Sequence, residues 1–292
     1  MDLELRRGSL SAIARPEGGE LISLRDGDGA EYIWGGDPQY WAGRNPHLFP
    51  VVGSLKDGQV ALGGSRYSMG RHGFARDSLF TAVEQGTDYV VFELRENETT
   101  LRQYPFPFRF RVRHHLTGDG FYTQYEVFNP GANPLPFCVG GHTAFRCPLR
   151  PGEQFEDYRL VFDEREDAHA MIPSSQGLLS RERTVYALPN TDTLRLSHQT
   201  FDQVDTLVFE GLRSRHVSLV GPGGCGVRMG FGDFPMIAFW TMAHANAPYL
   251  CLEPWHGCGA MDDEDGQFTH KPYCVLLEPG EEKILRYTVT IL

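Results

Sequence analysis

Two residues in this chain have the makings of an acid–base pair. Glu253 ends the apolar run Tyr249-Leu-Cys-Leu and is followed by Pro254, Trp255, His256 and Gly257. A carboxylate at the end of an apolar strand is partly desolvated, which raises its pKa and makes it a better base near neutral pH. The plain alternative is a solvated loop end, but a buried glutamate without a role is costly. His142 sits in Cys138-Val-Gly-Gly-His142-Thr-Ala-Phe145-Arg-Cys-Pro148. There the run Leu135–Val139 reads as a buried strand that delivers the histidine past two glycines. Glycines add no packing there, so they point to backbone approached closely by a ligand or by another strand.

Two further segments carry similar chemistry. In Gly43-Arg44-Asn45-Pro46-His47-Leu48-Phe49-Pro50 the arginine could offer forked hydrogen bonds to adjacent hydroxyls, or simply precede a strand at the surface. In Gly70-Arg71-His72-Gly73-Phe74-Ala75-Arg76-Asp77 the histidine abuts a glycine and is open to a ligand, or is an ordinary loop histidine. Arg76 and Asp77 could form a structural ion pair. Ionisable groups interleaved with glycine, proline and aromatics suit a sugar cleft, because sugars turn C–H faces to rings and hydroxyls to polar groups. Trp255 beside Glu253 is such a ring. The remaining histidines have weaker settings: His114 and His115 adjoin in a strand and point to opposite faces.

The elements that must position these residues are strands. Glycine (33) and proline (19) interrupt the chain at intervals suited to a sandwich or barrel. Strands are expected at Tyr89–Arg95, Phe108–Leu116, Phe121–Asn129, Thr206–Phe209, His216–Leu219, Gly226–Phe231, Met236–Thr241, Tyr249–Glu253 and Lys283–Ile291, the last as an edge strand. Turn chemistry lies at Lys56-Asp57-Gly58, Thr117-Gly118-Asp119-Gly120 and Asn129-Pro130-Gly131. Pro38–Trp41 reads as one short helical turn, Asp163–Asp167 as a solvated loop, and no amphipathic helix of length appears. Without helical crossovers the sheet must be large and antiparallel. With no linker or repeat, residues 1–292 read as a single all-β domain.

Composition narrows the partners. A formal net charge of −11 disfavours nucleic acid and anionic membranes, and no apolar run reaches the roughly 20 residues of a membrane span. The N-terminus has no apolar core of signal-peptide length, so a cytoplasmic protein acting on a neutral small molecule is expected. The six cysteines include no C-x-x-C pair. Cys138, Cys251 and Cys274 lie in apolar runs and read as buried structural thiols. Oligomeric state is left open.

Arg44 with Leu48-Phe49-Pro50-Val-Val-Gly53, then His72-Gly-Phe-Ala-Arg76-Asp77, Gly140-Gly141-His142-Thr-Ala-Phe145 and Glu253-Pro-Trp255 occur in order. In these segments the chain resembles the aldose 1-epimerase (mutarotase) family, in particular its compact bacterial branch, from about residue 10 to the C-terminus. The resemblance implies a galactose mutarotase-like β-sandwich whose substrate is a free aldose and which needs no cofactor or metal. It implies Glu253 as the base at the C1 hydroxyl, His142 as the acid at the ring oxygen, His72 as support there and Arg44 as a ligand of sugar hydroxyls. A cleft aspartate is also implied. Asp205 matches best, with Asp202 and Asp233 as competitors. The Thr-Ala-Phe after His142 departs from the family, where a proline often follows the histidine.

Other readings remain. A hexose-6-phosphate mutarotase would use Arg44, Arg71 and Arg76 for the phosphate. A non-catalytic sugar sensor would not need a matched acid and base. A metal-dependent isomerase would ligate through His72, His142 and His256, though no short-spaced ligand motif is present.

Overall fold

The computed structural model describes residues Met1–Leu292. Fifteen strands form one antiparallel sheet. Its path runs from His47–Leu48 through Val139–Gly141, Tyr249–His256, Met236–Trp240, Thr206–Glu210 and Arg159–Met171 to His216–Val220. It continues through Gly226–Gly230, Glu282–Ile291, Gly120–Phe128, Arg109–Leu116 and Tyr89–Arg95 to Thr81–Gln85. Strands far apart on this path nevertheless touch. Phe49, just beyond the first strand, stacks on Phe110 at 4.4 Å, and the Tyr125 hydroxyl reaches the Gly140 carbonyl at 3.1 Å. The sheet therefore folds over on itself into a sandwich, with one continuous core of 70 buried residues from Leu5 to Val289.

The expected strands are present within one to three residues of their predicted ends. Two readings need correction. The C-terminal strand Glu282–Ile291 is not an edge: it pairs with Gly120–Phe128 on one side and Gly226–Gly230 on the other. Its alternation, with Leu285, Tyr287 and Val289 buried, reports one wet face of an internal strand and carries no information about the ladder edges. Asp163–Asp167 is not a loop but the middle of the strand Arg159–Met171, paired through bulges with Thr184–Arg195. Glu166 in that stretch is buried because its carboxylate accepts the Ser214 and Arg213 backbone N–H groups at 2.7 and 3.2 Å. Two short helices, Glu98–Gln103 and His198–Val204, escaped the sequence reading. The first has a legible cap, since the Asn97 side chain accepts from the Thr99 and Thr100 backbone.

The two halves are pinned by buried histidines. His47 and His114 both donate from Nε2 to the Gly19 carbonyl, at 2.9 and 2.8 Å. Burial holds both imidazoles neutral, His114 down to about 4 and His47 well below its ordinary value. The unfolded chain therefore binds more protons than the folded one as pH falls from about 6.5 toward 4. The stabilisation is fully present above that window and is lost through it. His114 alone should account for about 3 kcal/mol. We expect the urea midpoint to drop steadily between pH 6.5 and 5. A midpoint that does not move over that range would refute neutral burial.

Candidate active site

The sheet register assembles the centre of the site. Gly140 opposes Trp255 and Thr143 opposes Leu252 in one continuous count, which sets His142 directly opposite Glu253. The ladder pauses there because Pro254 has no N–H to donate. His142 Nε2 stands 3.3 Å from Glu253 Oε1, and both residues are buried, at 7% and 2% exposure. Alternation then puts Cys251 and Trp255 on the same face as Glu253. The next strands add Trp240, which opposes Cys251, and Ala238, which opposes Glu253; Thr206 and Val208 follow. Of these, Glu253, Trp255, Trp240, Thr206 and Val208 floor a cleft of about 830 Å³ including its open mouth, while Cys251 packs in a buried cluster with Trp34, Ala144 and Tyr249.

The predicted close approach to Gly140 and Gly141 comes from protein. A Cβ on Gly140 would stand 2.9 Å from the Pro254 carbonyl oxygen and the Trp255 ring, and one on Gly141 would press on Tyr287. The glycines thus let the strand of His142 lie close against that of Glu253.

Loops supply the rim. His72 has a left-handed backbone (φ 67°) and its N–H and C=O bond to Gly53 and Phe49. Gly53 N–H donates to His72 Nδ1 at 3.0 Å, so in the neutral ring Nε2 carries the proton and is a donor. Burial, then His142, Arg76 and Arg71, pull His72 well below its ordinary pKa, so it stays neutral. Its ring meets that of His142 edge-on at 5.6 Å. Asp205 lines the mouth in a rare left-handed conformation (φ 62°, ψ −65°) at the end of the helix His198–Val204. Such backbone costs about 1–3 kcal/mol and is kept where the surroundings impose it. Asp202 and Asp233 lie outside the cleft, bonded to the backbone of His244 and Arg286.

Arg44 is not part of the cleft. Asn45 beside it is locked to the Leu21 carbonyl and to Thr143, and this turns Arg44 away so that Nη1 points at the Ile22 carbonyl, 3.5 Å off. Arg71 and Arg76 line the cleft instead. Arg71 donates from Nε to Ser54 Oγ at 2.9 Å, and Arg76 stands a loose 3.6 Å from exposed Asp77. His256 is also elsewhere, its Nδ1 against the Tyr273 carbonyl, so the His72–His142–His256 ligand set is not assembled. The sequence reading missed Trp41 and Trp240, whose rings lie 4.9 and 5.6 Å from that of His142 and form an aromatic wall. Trp240 was recoverable from alternation along its strand. Trp41 lies in the segment read as a helical turn, and nothing local marks it.

Burial drives the Glu253 carboxyl well above the usual range, with Asp205 adding to the rise. The buried Trp255 indole N–H faces the carboxylate without closing a hydrogen bond of ordinary geometry and partly offsets that rise, as does Arg71. Burial pulls His142 down to about 3, assisted by Arg76 and Arg71 and opposed by its own carbonyl. In the open cleft burial thus favours the uncharged form of both, a carboxylic acid against an imidazole. One proton can cross the 3.3 Å between them. Beside them Cys251 brings a buried thiol. Its sulfur, His142 nitrogen and Glu253 oxygen all lie within 4.8 Å of one another.

The model of the aldose 1-epimerase family matches residues 1–290. The chain belongs to that family. Over their full lengths it is 34% identical to the plasmid-encoded protein LacX of Lactococcus lactis subsp. lactis and 35% identical to the chromosomal one. A galactose mutarotase related enzyme from Lactobacillus acidophilus shares the fold at a TM-score of 0.93, with 30% identity over 100% of this chain and 97% of that one. A galactose mutarotase-like protein from Lactobacillus casei ATCC 334 follows at 0.90, with 26% identity over the whole of both chains. The expected galactose mutarotase-like β-sandwich is thus the fold of this family member.

The prop behind His72 is open to test. Gly53 has φ 68°, and a Cβ there would stand 2.5 Å from the Gly259 Cα. Gly53→Ala should cost about 2–4 kcal/mol in chemical denaturation. In long-range ¹H–¹⁵N spectra His72 should lose its Nε2–H tautomer signature. Wild-type stability together with an unchanged tautomer would remove Gly53 from this role.

Proposed function

We propose that this aldose 1-epimerase family member interconverts the α and β anomers of a free aldose by general acid–base ring opening and closing, without a cofactor. The observation that carries the reading is the buried opposition of His142 and Glu253 at 3.3 Å on the cleft floor. In the ionic arrangement of the pair, the Glu253 carboxylate takes the proton of the C1 hydroxyl while the bond from C1 to the ring oxygen breaks. Protonated His142 gives its proton to that oxygen. The product is the open-chain aldehyde with the pair left neutral, the state that burial favours. Rotation about C1–C2 and the reverse transfers close the ring on the other face. Those reverse transfers return the proton of the freed ring hydroxyl to His142 and that of Glu253 to the C1 oxygen, which restores the ionic arrangement. The 3.3 Å contact lets the neutral resting pair reach that arrangement by passing one proton from Glu253 to His142. Each turnover is thus balanced without an outside acid or base.

The surrounding residues support binding. Trp41, Trp240 and Trp255 offer ring faces and edges to the C–H side of a sugar. His72, proton on Nε2, donates on the ring-oxygen side. Asp205 accepts from hydroxyls at the mouth. Galactose, the sugar in the names of the Lactobacillus relatives, is the natural first substrate to try.

A second reading is favoured by Arg71 and Arg76. Two guanidinium groups line the cleft with only a serine hydroxyl and a loose exposed carboxylate as partners, which suits an aldose carrying a phosphate. Exchange spectroscopy over aldoses and their 6-phosphates decides between the two. Free aldoses should be the better substrates, and a large preference for phosphorylated ones would replace the first reading with the second. Glu253→Gln should lower kcat for anomer exchange at least about 100-fold while sugar binding persists. Full activity in that variant would overturn the acid–base assignment, and wild-type binding without acceleration of any aldose would mark a sensor.

A further inference from the structure

We infer that His142, Cys251 and Glu253 form a binding site for a thiophilic divalent cation of the zinc class, whose occupancy silences the acid–base pair. The second half of that statement rests on the proposed function; the site itself does not.

The trio is made by the sheet. Cys251 and Glu253 are two apart on one strand and share a face, and the register sets His142 opposite Glu253. All three ligand atoms lie within 4.8 Å of one another, and all three residues are buried. The 3.3 Å from His142 Nε2 to Glu253 Oε1 already equals the edge of a tetrahedron with arms of about 2.0–2.1 Å, the usual reach of nitrogen and oxygen to zinc. The thiolate arm is longer, about 2.3 Å, so Cys251 needs to close in by about 1.3 Å at most from the 4.8 Å limit.

The donor set selects the ion. One sulfur, one imidazole nitrogen and one carboxylate oxygen suit zinc or cadmium, whereas magnesium and calcium demand several oxygens. Charge agrees. A thiolate and a carboxylate supply two negative charges, so a bound dication leaves the buried site neutral, which a single acidic ligand would not. The fourth position faces the open cleft, where water completes the tetrahedron. Across that space stand Asp205, His72, Arg71 and Arg76, none within the trio. Tyr249 shares the strand with Cys251.

The functional consequence follows from which atoms are used. Metal on His142 Nε2 removes the atom that would carry a proton to the sugar, and metal on the Glu253 carboxylate removes the base. Cys251 takes no part in proton transfer, so it can be changed without touching the proposed chemistry.

The test adds cadmium and zinc to chelator-treated protein. With one equivalent of cadmium the wild type should develop the ultraviolet thiolate-to-cadmium band, and calorimetry with zinc should give one site. Zinc should inhibit anomer exchange, and excess chelator should restore it. Cys251→Ala should keep the anomer-exchange rate within about twofold and the thermal midpoint close to wild type. It should lose the band and weaken zinc binding at least about 100-fold, with a matching loss of inhibition. No band in the wild type, a band that persists in Cys251→Ala, or equal zinc inhibition of both proteins overturns the site. A metal signature that behaves as expected in a protein accelerating no aldose would leave the site standing and sink the proposed function instead.

Discussion

The arrangement of this molecule hangs on a cross-strand register. Thr143–Arg146 and Val139–Gly141 count against Tyr249–His256 without a slip, and the break between them falls where Pro254 cannot donate to the ladder. That break is where His142 faces Glu253. A slip of one residue would send Glu253, Cys251 and Trp255 to the opposite face together. The register is held on both sides, because Met236–Trp240 pairs with the far edge of the same strand. Fixing it are the packing of Gly140 on Trp255 and the apolar run that buries almost the whole strand.

Burying an acid and a base together is unfavourable unless each answers the other. Here burial drives the carboxyl up and the imidazole down, so the pair settles into a neutral contact and neither charge is stranded. The cost that remains is borne by a core of 70 buried residues and by a sheet folded over so that its remote strands lock at Phe49, Phe110 and Tyr125. The same logic governs His47 and His114, buried and neutral on one carbonyl, although they are structural and lie away from the cleft.

Much of this was legible in the chain before the fold was known. Composition marked a glycine-flanked histidine in Gly140-Gly141-His142 and a desolvated carboxylate in Glu253-Pro-Trp255, the family resemblance joined the two, and period-2 alternation located most strands. What stayed hidden was which residues oppose one another, since register depends on long-range pairing that no local window contains. Arg44 shows the limit. Its motif is in order, yet Asn45 is clamped to Leu21 and Thr143 and turns the guanidinium away, while Arg71 and Arg76 from a neighbouring segment line the cleft. Asp163–Asp167 and the C-terminal strand misled for a related reason: charge density and a polar face report solvent, not pairing, and a twisted ribbon or an internal strand with one wet side gives both.

The cleft thus has two kinds of residue, and the distinction bears on what can vary. The pair and its floor sit on paired strands, where one displaced side chain disturbs several ladders. The rim sits on backbone held in uncommon conformations, with His72 at φ 67°, Asp205 at φ 62°, Gly53 at φ 68° and Gly177 at φ 76° around one opening. Left-handed positions are defined by a few local hydrogen bonds, such as Gly53 N–H to His72 Nδ1, and can be rebuilt without altering the sheet. The contact of His142 with Glu253 is therefore a property of the register, whereas the shape and charge of the cleft mouth belong to the loops that carry His72, Arg71, Arg76 and Asp205. This division explains why the strand-borne His142 and Glu253 stood out in strand-end composition while the make-up of the rim did not.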